Sequence, residues 1–500
     1  MPRLRARPAP VPEGVPVLLP VSPPRSAAQS RPAYRPRRLQ TPLYLLLRDH
    51  FAEFRRIYDD RFAPRYGAFR PVVEKVVERF LACGDLRQGF ARVRCGECGE
   101  DYLLPYSCKC RGFCPSCVQR RALEFEEFLE TGVLRPDSAH RHWTWTLPKI
   151  VRRQFLWKRR LLPRLCRAAW ESLASALHAA LGRDDVFPGG VIVPQTFGAL
   201  LNWHPHAHGI VSETCWDRDG RPFDLPGLDF DALARTVERL FAANVLAFLV
   251  EEESLSEEMA QKIAGWRHGF GVDCRTRIAP GDDPGCRRLA GYLARAPFSL
   301  ERLELTPEGA CYRPERPNLF LGTDEVRSDR LEMIALVTQH IPETGAKQAI
   351  YYGAYSQAWR GRLRRQGLAP SNLKPQTSNL KPDPPDLAAF RKACRRRWAQ
   401  LIKQVWKSDP LLCPSCGGRM KIIAFLQDPD AIRRILEHLG RWYLDPPPQS
   451  RSPPSGTGPP DEPDPGADPD ADAPDAPEAM EWDAMDPPWQ DEVPEFKEGA

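Results

Sequence analysis

Residues 195–212, QTFGALLNWHPHAHGIVS, put three of the chain's 10 histidines at alternating positions beside an apolar run. In an extended strand, side chains two apart share a face, so His206 and His208 can converge on one metal ion, with His204 as a third ligand. Neutral imidazole is a common metal ligand, and apolar neighbours dry the site around it. A half-buried strand whose histidines only hydrogen-bond is the plainer alternative. The strand is expected to continue through Gly209, Ile210 and Val211, after a strand at VIVPQT (191–196) and before a hairpin-like turn at WDRDGRPF (216–223).

Outward from this stretch, HRHWTWTLP (140–148) alternates Trp143, Trp145 and Leu147 with polar residues and predicts another half-buried strand. Helical spacing predicts helices over 41–62, over 72–84 ending at Gly84, over 119–132, over 152–182 with a break near Pro163, and over 229–253. Strands alternating with helices imply an α+β sheet domain.

A second chemical candidate lies in GDDPGCRRLAGYLARAPFSLERLEL (281–305). Asp283 and Pro284 mark a helix start, and the helix is expected to reach about Arg295 before Pro297. Arg288, Tyr292 and Arg295 then fall at i, i+4 and i+7 on one face, with Leu289 and Leu293 on the other. A tyrosine between two guanidinium groups suits attack on, or attachment to, a phosphodiester, although a tyrosine that only anchors a helix to a sheet has the same signature. Tyr351 and Tyr355, one helical turn apart in QAIYYGAYSQAWRGRLRR (348–365), rival it.

The 15 cysteines include Cys-x-x-Cys pairs. In RCGECGEDYLLPYSCKCRGFCPSC (94–117), Cys95, Cys98, Cys114 and Cys117 are expected to wrap one tetrahedral Zn²⁺, with Cys108 and Cys110 as substitutes inside the loop. Arginines and lysines around them (Arg92, Arg94, Lys109, Arg111, Arg120, Arg121) suit nucleic acid, while a purely stabilising zinc domain has the same look. Cys413-x-x-Cys416 supplies half of a further site, which His438 or Cys394 can complete.

The net charge of +6 hides an asymmetry: residues 445–500 hold 16 acidic and 2 basic side chains, which leaves the rest of the 500-residue chain at about +20. A body that basic suits a polyanion. No run of 18 apolar residues occurs, and prolines interrupt the N-terminus where a secretory or transit segment needs continuity, so a non-membrane protein is expected. Composition sets apart a disordered basic Pro/Arg-rich arm (1–40), a flexible linker with a doubled Ser-Asn-Leu-Lys-Pro (366–387) and a disordered acidic tail (445–500); between them are expected a zinc-binding domain suited to nucleic acid (41–135), a domain carrying the histidine and tyrosine candidates (136–365) and a C-terminal basic module with the last knuckle (388–444).

Five motifs in this order resemble the insertion-sequence-91 family of transposases, relatives of the rolling-circle replication initiators called HUH endonucleases. They are YSCKCRGFCPSC (106–117), QTFGALLNWHPHAH (195–208), YLARAPFSLERL (292–303), YYGAYS (351–356) and DPLLCPSCGGRMKIIAFL (409–426), and the similarity covers roughly residues 41–440. The resemblance implies an α+β fold with an HUH/Rep-like antiparallel sheet and flanking helices, a small zinc-binding domain before it and a small helical module after it. It implies that His206 and His208 hold Mg²⁺ or Mn²⁺, that Gln195 is a third ligand or a support, and that His204 is an extra. Tyr292, which precedes a Leu-x-Arg-x-Pro segment, is then the nucleophile in preference to Tyr351 and Tyr355. Two-tyrosine members carry another tyrosine where this chain has Arg288, so the resemblance is to the single-tyrosine branch.

The implied activity is cleavage and rejoining of single-stranded or hairpin DNA through a 5′-phosphotyrosine, with Arg288 and Arg295 clamping the phosphate and Zn²⁺ in the cysteine domain. DNA is the implied partner, a homo-oligomer is compatible with it, and the implied location is the bacterial cytoplasm at the nucleoid. Two rival readings stand beside it. One is a zinc-dependent DNA-binding protein derived from a transposase that no longer cleaves; the other is a zinc hydrolase of other substrates that uses all three histidines.

Overall fold

A computed structural model describes residues 41–366 and 413–442, apart from positions 100, 107, 109, 111, 226, 267, 268, 315–324, 414, 415 and 441. The arm at 1–40, nearly all of the linker, residues 388–412 with Cys394, and the acidic tail lie outside the described residues.

The chain opens with α1 (Pro42–Arg61), started by Pro42 and by the Thr41 hydroxyl, which accepts from the Tyr44 amide. A short α2 (Ala63–Tyr66) and α3 (Pro71–Ala82) follow. Strands β1 (Phe90–Cys95) and β2 (Asp101–Pro105) form a hairpin, and α4 (Pro115–Phe128) leads into β3 (His140–Thr146). The helical stretch expected to break near Pro163 is two helices, α5 (Lys149–Trp157) and α6 (Leu161–Leu181). The break precedes Pro163, which sits in the first turn of α6, where its missing N–H leaves no helix bond unmade.

Next come β4 (Val186–Phe197), β5 (Trp203–Asp217), β6 (Pro222–Asp224), α7 (Phe230–Glu251), α8 (Glu257–Ala264), β7 (Gly271–Ile278) and α9 (Asp283–Leu293). A small sheet of β8 (Leu303–Thr306), β9 (Gly309–Tyr312) and β10 (Val326–Ser328) precedes α10 (Arg330–Thr338), β11 (Ile350–Gly353) and α11 (Gln357–Arg365). After the undescribed gap, β12 (Met420–Leu426) and α12 (Pro429–His438) close the described chain.

The result is a mixed α/β protein with antiparallel sheets. Its central sheet runs β11-β4-β5-β3-β7, with β6 paired to β5. Alternation gives this sheet two different faces. On one, Trp143, Trp145, Ile192, Ala207 and Val211 are buried with residues of α5, α6 and α7 such as Phe155, Leu173 and Phe241. Gly209 leaves room there for the Trp145 ring, which stands 3.0 Å from where a Cβ at that position would be, tighter than side chains ordinarily pack. On the other face, Val191, Val193 and Ile210 are covered by Leu289 and Leu293 of α9 and by Phe125 and Phe128 of α4. The histidines continue this second face.

A third core packs α1, α3 and Phe113 of the cysteine loop against β8, β9 and α10, so apolar packing joins the segments on both sides of residue 135. β12 pairs with β1, Phe90 opposite Leu426 and Cys95 opposite Met420, so the last described strand joins β1 and β2 in one three-stranded sheet. Among the described residues no helix is long and apolar enough to cross a membrane.

Just after α10, His340 is fully enclosed and neutral. Its Nδ1 lies 3.1 Å from the Thr196 hydroxyl, its Nε2 donates to the Leu201 carbonyl at 3.0 Å, and burial pulls its pKa down to about 3. The unfolded chain takes up this proton near pH 6.5 and the native state does not until about pH 3, so stability rises with pH across that window. Between pH 7 and pH 5 this one group is expected to remove about 2 kcal/mol of stability. Thermal melts at the two pH values check it, and His340→Gln should narrow the difference between them.

Candidate active site and cysteine clusters

Register, more than proximity in sequence, assembles the histidine site. Strand pairing sets His206 opposite Gln195 on one side and Thr146 on the other, and His208 opposite Val193 and Thr144. Directly paired residues share a face, so these side chains and His142, two residues before Thr144, point the same way. The His206 and His208 rings are 4.7 Å apart, and the His142 ring stacks on His208 at 5.0 Å.

Both imidazoles of the pair have Nδ1 engaged. His206 Nδ1 donates to the His204 carbonyl at 2.6 Å, while His208 Nδ1 is 3.1 Å from Thr144 Oγ1 and 3.0 Å from His142 Nε2. Engaging Nδ1 leaves Nε2 as the outward donor atom, the arrangement usual for metal-binding histidines. His208 Nε2 is buried and has no hydrogen-bond partner among the described residues. Burial drives the pKa of His206 down to about 3 and that of His208 to about 2, with His206, His142 and Arg295 adding repulsion at His208. Neutral rings with an unused buried nitrogen fit a divalent cation. The nitrogen donors suit Mn²⁺ better than Mg²⁺, which favours oxygen. His204 lies beside the pair, its Nδ1 3.2 Å from that of His206.

Helix α9 lays Tyr292 across this face. Its ring meets His208 edge-on at 5.2 Å and His142 at 5.7 Å, and it remains 38% exposed. The helix stops at Leu293, two residues earlier than expected. Gln195 Nε2 donates to the carbonyls of Tyr292 (3.3 Å) and Leu293 (3.1 Å), satisfying groups that a helix end leaves open. Gln195 therefore acts on the tyrosine's helix, and its Oε1 accepts from Arg295 at 3.4 Å. The Arg295 guanidinium lies 4.2 Å from the centre of the Tyr292 ring. Arg288, largely exposed, turns instead to Asp282 at 3.9 Å.

Tyr351 and Tyr355 do not share a helix. Tyr351 is buried on β11, and Tyr355 is buried in the following turn, where its hydroxyl is 2.7 Å from His140 Nε2 and accepts from the Arg135 amide at 3.3 Å. Burial raises the Tyr355 phenol well above its ordinary pKa. The residue that sequence reading passed over is His142. Its alternation with the buried Trp143 and Trp145 was visible, but its shared face with His208 depends on strand order. A cavity of about 330 Å³ adjoins Gln195 and Arg295 and is also lined by Arg121, Arg159, Arg160 and Lys347.

The cysteines regroup. Cys95, Cys98, Cys114 and Cys117, expected as one zinc site, do not meet. Cys114 and Cys117, at the start of α4, join Cys108 and Cys83 at the end of α3, with all four sulfurs within 4.8 Å of one another. Within this group Cys108 and Cys117 are 3.4 Å apart, and the Cys108 amide donates to Cys83 Sγ. Cys110, outside this group of four, lies within hydrogen-bond reach of Cys108 and donates to the Val76 carbonyl. Hydrogen bonds among the thiols, those with Cys110 and Cys114 first, push the Cys108 thiol up, a penalty a thiolate-binding cation removes. The other pair, Cys95 and Cys98, is carried off by β1 to a second cluster with Cys413 and Cys416. Spacing alone favoured the wrong partners because it fixes each local Cys-x-x-Cys but not which pair it faces.

Two family models match the chain in succession: a transposase zinc-binding domain over residues 48–147 and a putative transposase over residues 189–362. The cysteine loop and the histidine sheet thus lie within the two matched parts of a transposase. The chain is 26% identical over 369 residues to the transposase for insertion sequence element IS801 of Pseudomonas savastanoi pv. phaseolicola, covering 71% of this chain and 84% of that protein. It belongs to the insertion-sequence-91 family of transposases. No solved structure matches it.

Proposed function

We propose that this transposase is of the HUH type in its single-tyrosine form, cutting and rejoining single-stranded or hairpin DNA through a 5′-phosphotyrosine. The observation that carries the reading is Tyr292, accessible and edge-on to a pair of neutral, buried histidines on an antiparallel sheet. His206 and His208 would hold Mg²⁺ or Mn²⁺, which when bound supplies positive charge at a non-bridging oxygen of the scissile phosphate. Tyr292 Oη attacks the phosphorus and gives up its proton; the bond to O3′ breaks, and O3′ takes a proton to become a free hydroxyl. The phosphodiester energy is kept in the tyrosyl ester, so a second 3′-hydroxyl can reverse the step without ATP.

Arg295 is placed to contact the phosphate, Arg288 can meet DNA further out, and Gln195 positions α9. The cationic lining of the adjoining cavity supports an unpaired strand as substrate. The group Cys83, Cys108, Cys114 and Cys117 would bind Zn²⁺ and fix the domain that approaches the DNA. Incubation with a labelled single-stranded element end and Mn²⁺ should yield a covalent protein–DNA adduct that survives denaturing electrophoresis. Retention of the DNA without any adduct would favour a binding protein that does not cleave.

A further inference from the structure

The second cysteine cluster lies outside the chemistry above, and half of it lies outside both matched family ranges. Cys95 ends β1 and Cys98 follows in the turn; Cys413 and Cys416 precede β12, which pairs with β1. The antiparallel pairing delivers both knuckles to the same end of one sheet. Cys95 and Cys416 sulfurs are 3.6 Å apart, Cys98 and Cys413 sulfurs 3.5 Å, and all four lie within 4.8 Å of one another. Four thiolates on one tetrahedral ion at a metal–sulfur length of about 2.3 Å stand about 3.8 Å apart. A disulfide needs about 2.05 Å. The sulfurs sit close to the first arrangement and far from the second.

The two knuckles end alike. Each Cys-x-x-Cys is followed by a glycine in the left-handed region, Gly99 at φ +77° and Gly417 at φ +73°, which turns the chain away from the sulfurs. The Gly418 amide points at Cys416 Sγ at 3.4 Å, and the Gly417 amide closes on the Cys413 carbonyl at 2.9 Å. An N–H aimed at sulfur stabilises thiolate. The apolar core beneath is very small: Val93, Cys95, Cys413 and Met420, with Ile422 packed against them. The other end of the sheet has a second small cluster, Phe90, Leu103 and Leu426 against Ile432 and Leu436 of α12, so the cysteine end rests on few apolar side chains of its own, where metal is a usual staple.

We propose that Cys95, Cys98, Cys413 and Cys416 form a second zinc site, a composite ribbon that clips the C-terminal strand and α12 to the N-terminal zinc-binding domain. Zn²⁺ is the fitting ion because the donors are four thiolates in a closed set. The site stands independently of the DNA-cleavage reading.

Metal analysis of the reduced full-length protein after dialysis tests it. The expected content is two zinc ions per chain, falling to one in Cys413→Ser/Cys416→Ser. Cys416→His, which keeps a ligand in place, should retain two metals while moving the cobalt(II) d–d bands of the substituted protein to shorter wavelength as sulfur gives way to nitrogen. Two zinc ions retained in the double serine variant, or a cobalt spectrum unchanged by Cys416→His, would overturn the proposal. So would a parent protein that binds a single zinc with the same content in the double variant.

Discussion

Tyr292→Phe is expected to reduce formation of the covalent DNA adduct by about a thousand-fold or more, the scale on which removing a nucleophile acts. The substitution deletes one oxygen and keeps the ring that packs against His142 and His208 and lies beneath Arg295. Because the residue is partly exposed, stability should move by no more than about 0.5 kcal/mol. DNA binding in a gel-shift assay should also persist, which separates chemistry from recognition. The opposite outcome is equally specific: an adduct that survives Tyr292→Phe and vanishes in Tyr355→Phe would move the nucleophile. For that to happen the sheet would have to release a phenol now buried against His140.

The second large effect is expected at the histidine pair. His208→Ala should lower Mn²⁺-dependent adduct formation by about a hundred- to a thousand-fold, the range found when one electrostatic stabiliser of a developing charge is removed. His206→Ala should behave alike, whereas His204→Ala should stay within a few-fold, since the main-chain carbonyl that engages His206 remains. Titrating Mn²⁺ distinguishes a lost ligand from a distorted site: a lost ligand raises the concentration needed for half-maximal rate. Equal losses in all three variants, with a tightly bound zinc lost in His204→Ala and no strand transfer by the parent, would favour a three-histidine hydrolase.

Much of the architecture could be read from local pattern. Helices α1, α3 and α7 have apolar residues at helical spacing and clear starts, and the strands bearing Trp143, Trp145, His206 and His208 alternate cleanly, so short-range chemistry decides them. Strand β7 escaped because only Val272 and Cys274 of its inner face are apolar before it turns to Arg275 and Arg277 at the sheet edge. Strands β8 to β10, three or four residues each, have too little length to show a period. The site divides in the same way. His206, His208 and Tyr292 are legible as residue types in local context. The contribution of His142, the use of Gln195 as a brace for α9 and the exchange of cysteine partners depend on which strands become neighbours, and no window of sequence contains that information.

The pairing of β12 with β1 also sets a clock on synthesis. Cys95 and Cys416 are 321 residues apart, so at ordinary translation rates β1 emerges on the order of half a minute before the strand that covers it. During that interval one edge of the nascent hairpin is open to any other extended chain, the situation in which edge strands aggregate. A copy of the gene cut short before residue 420 would leave that edge open for the lifetime of its product.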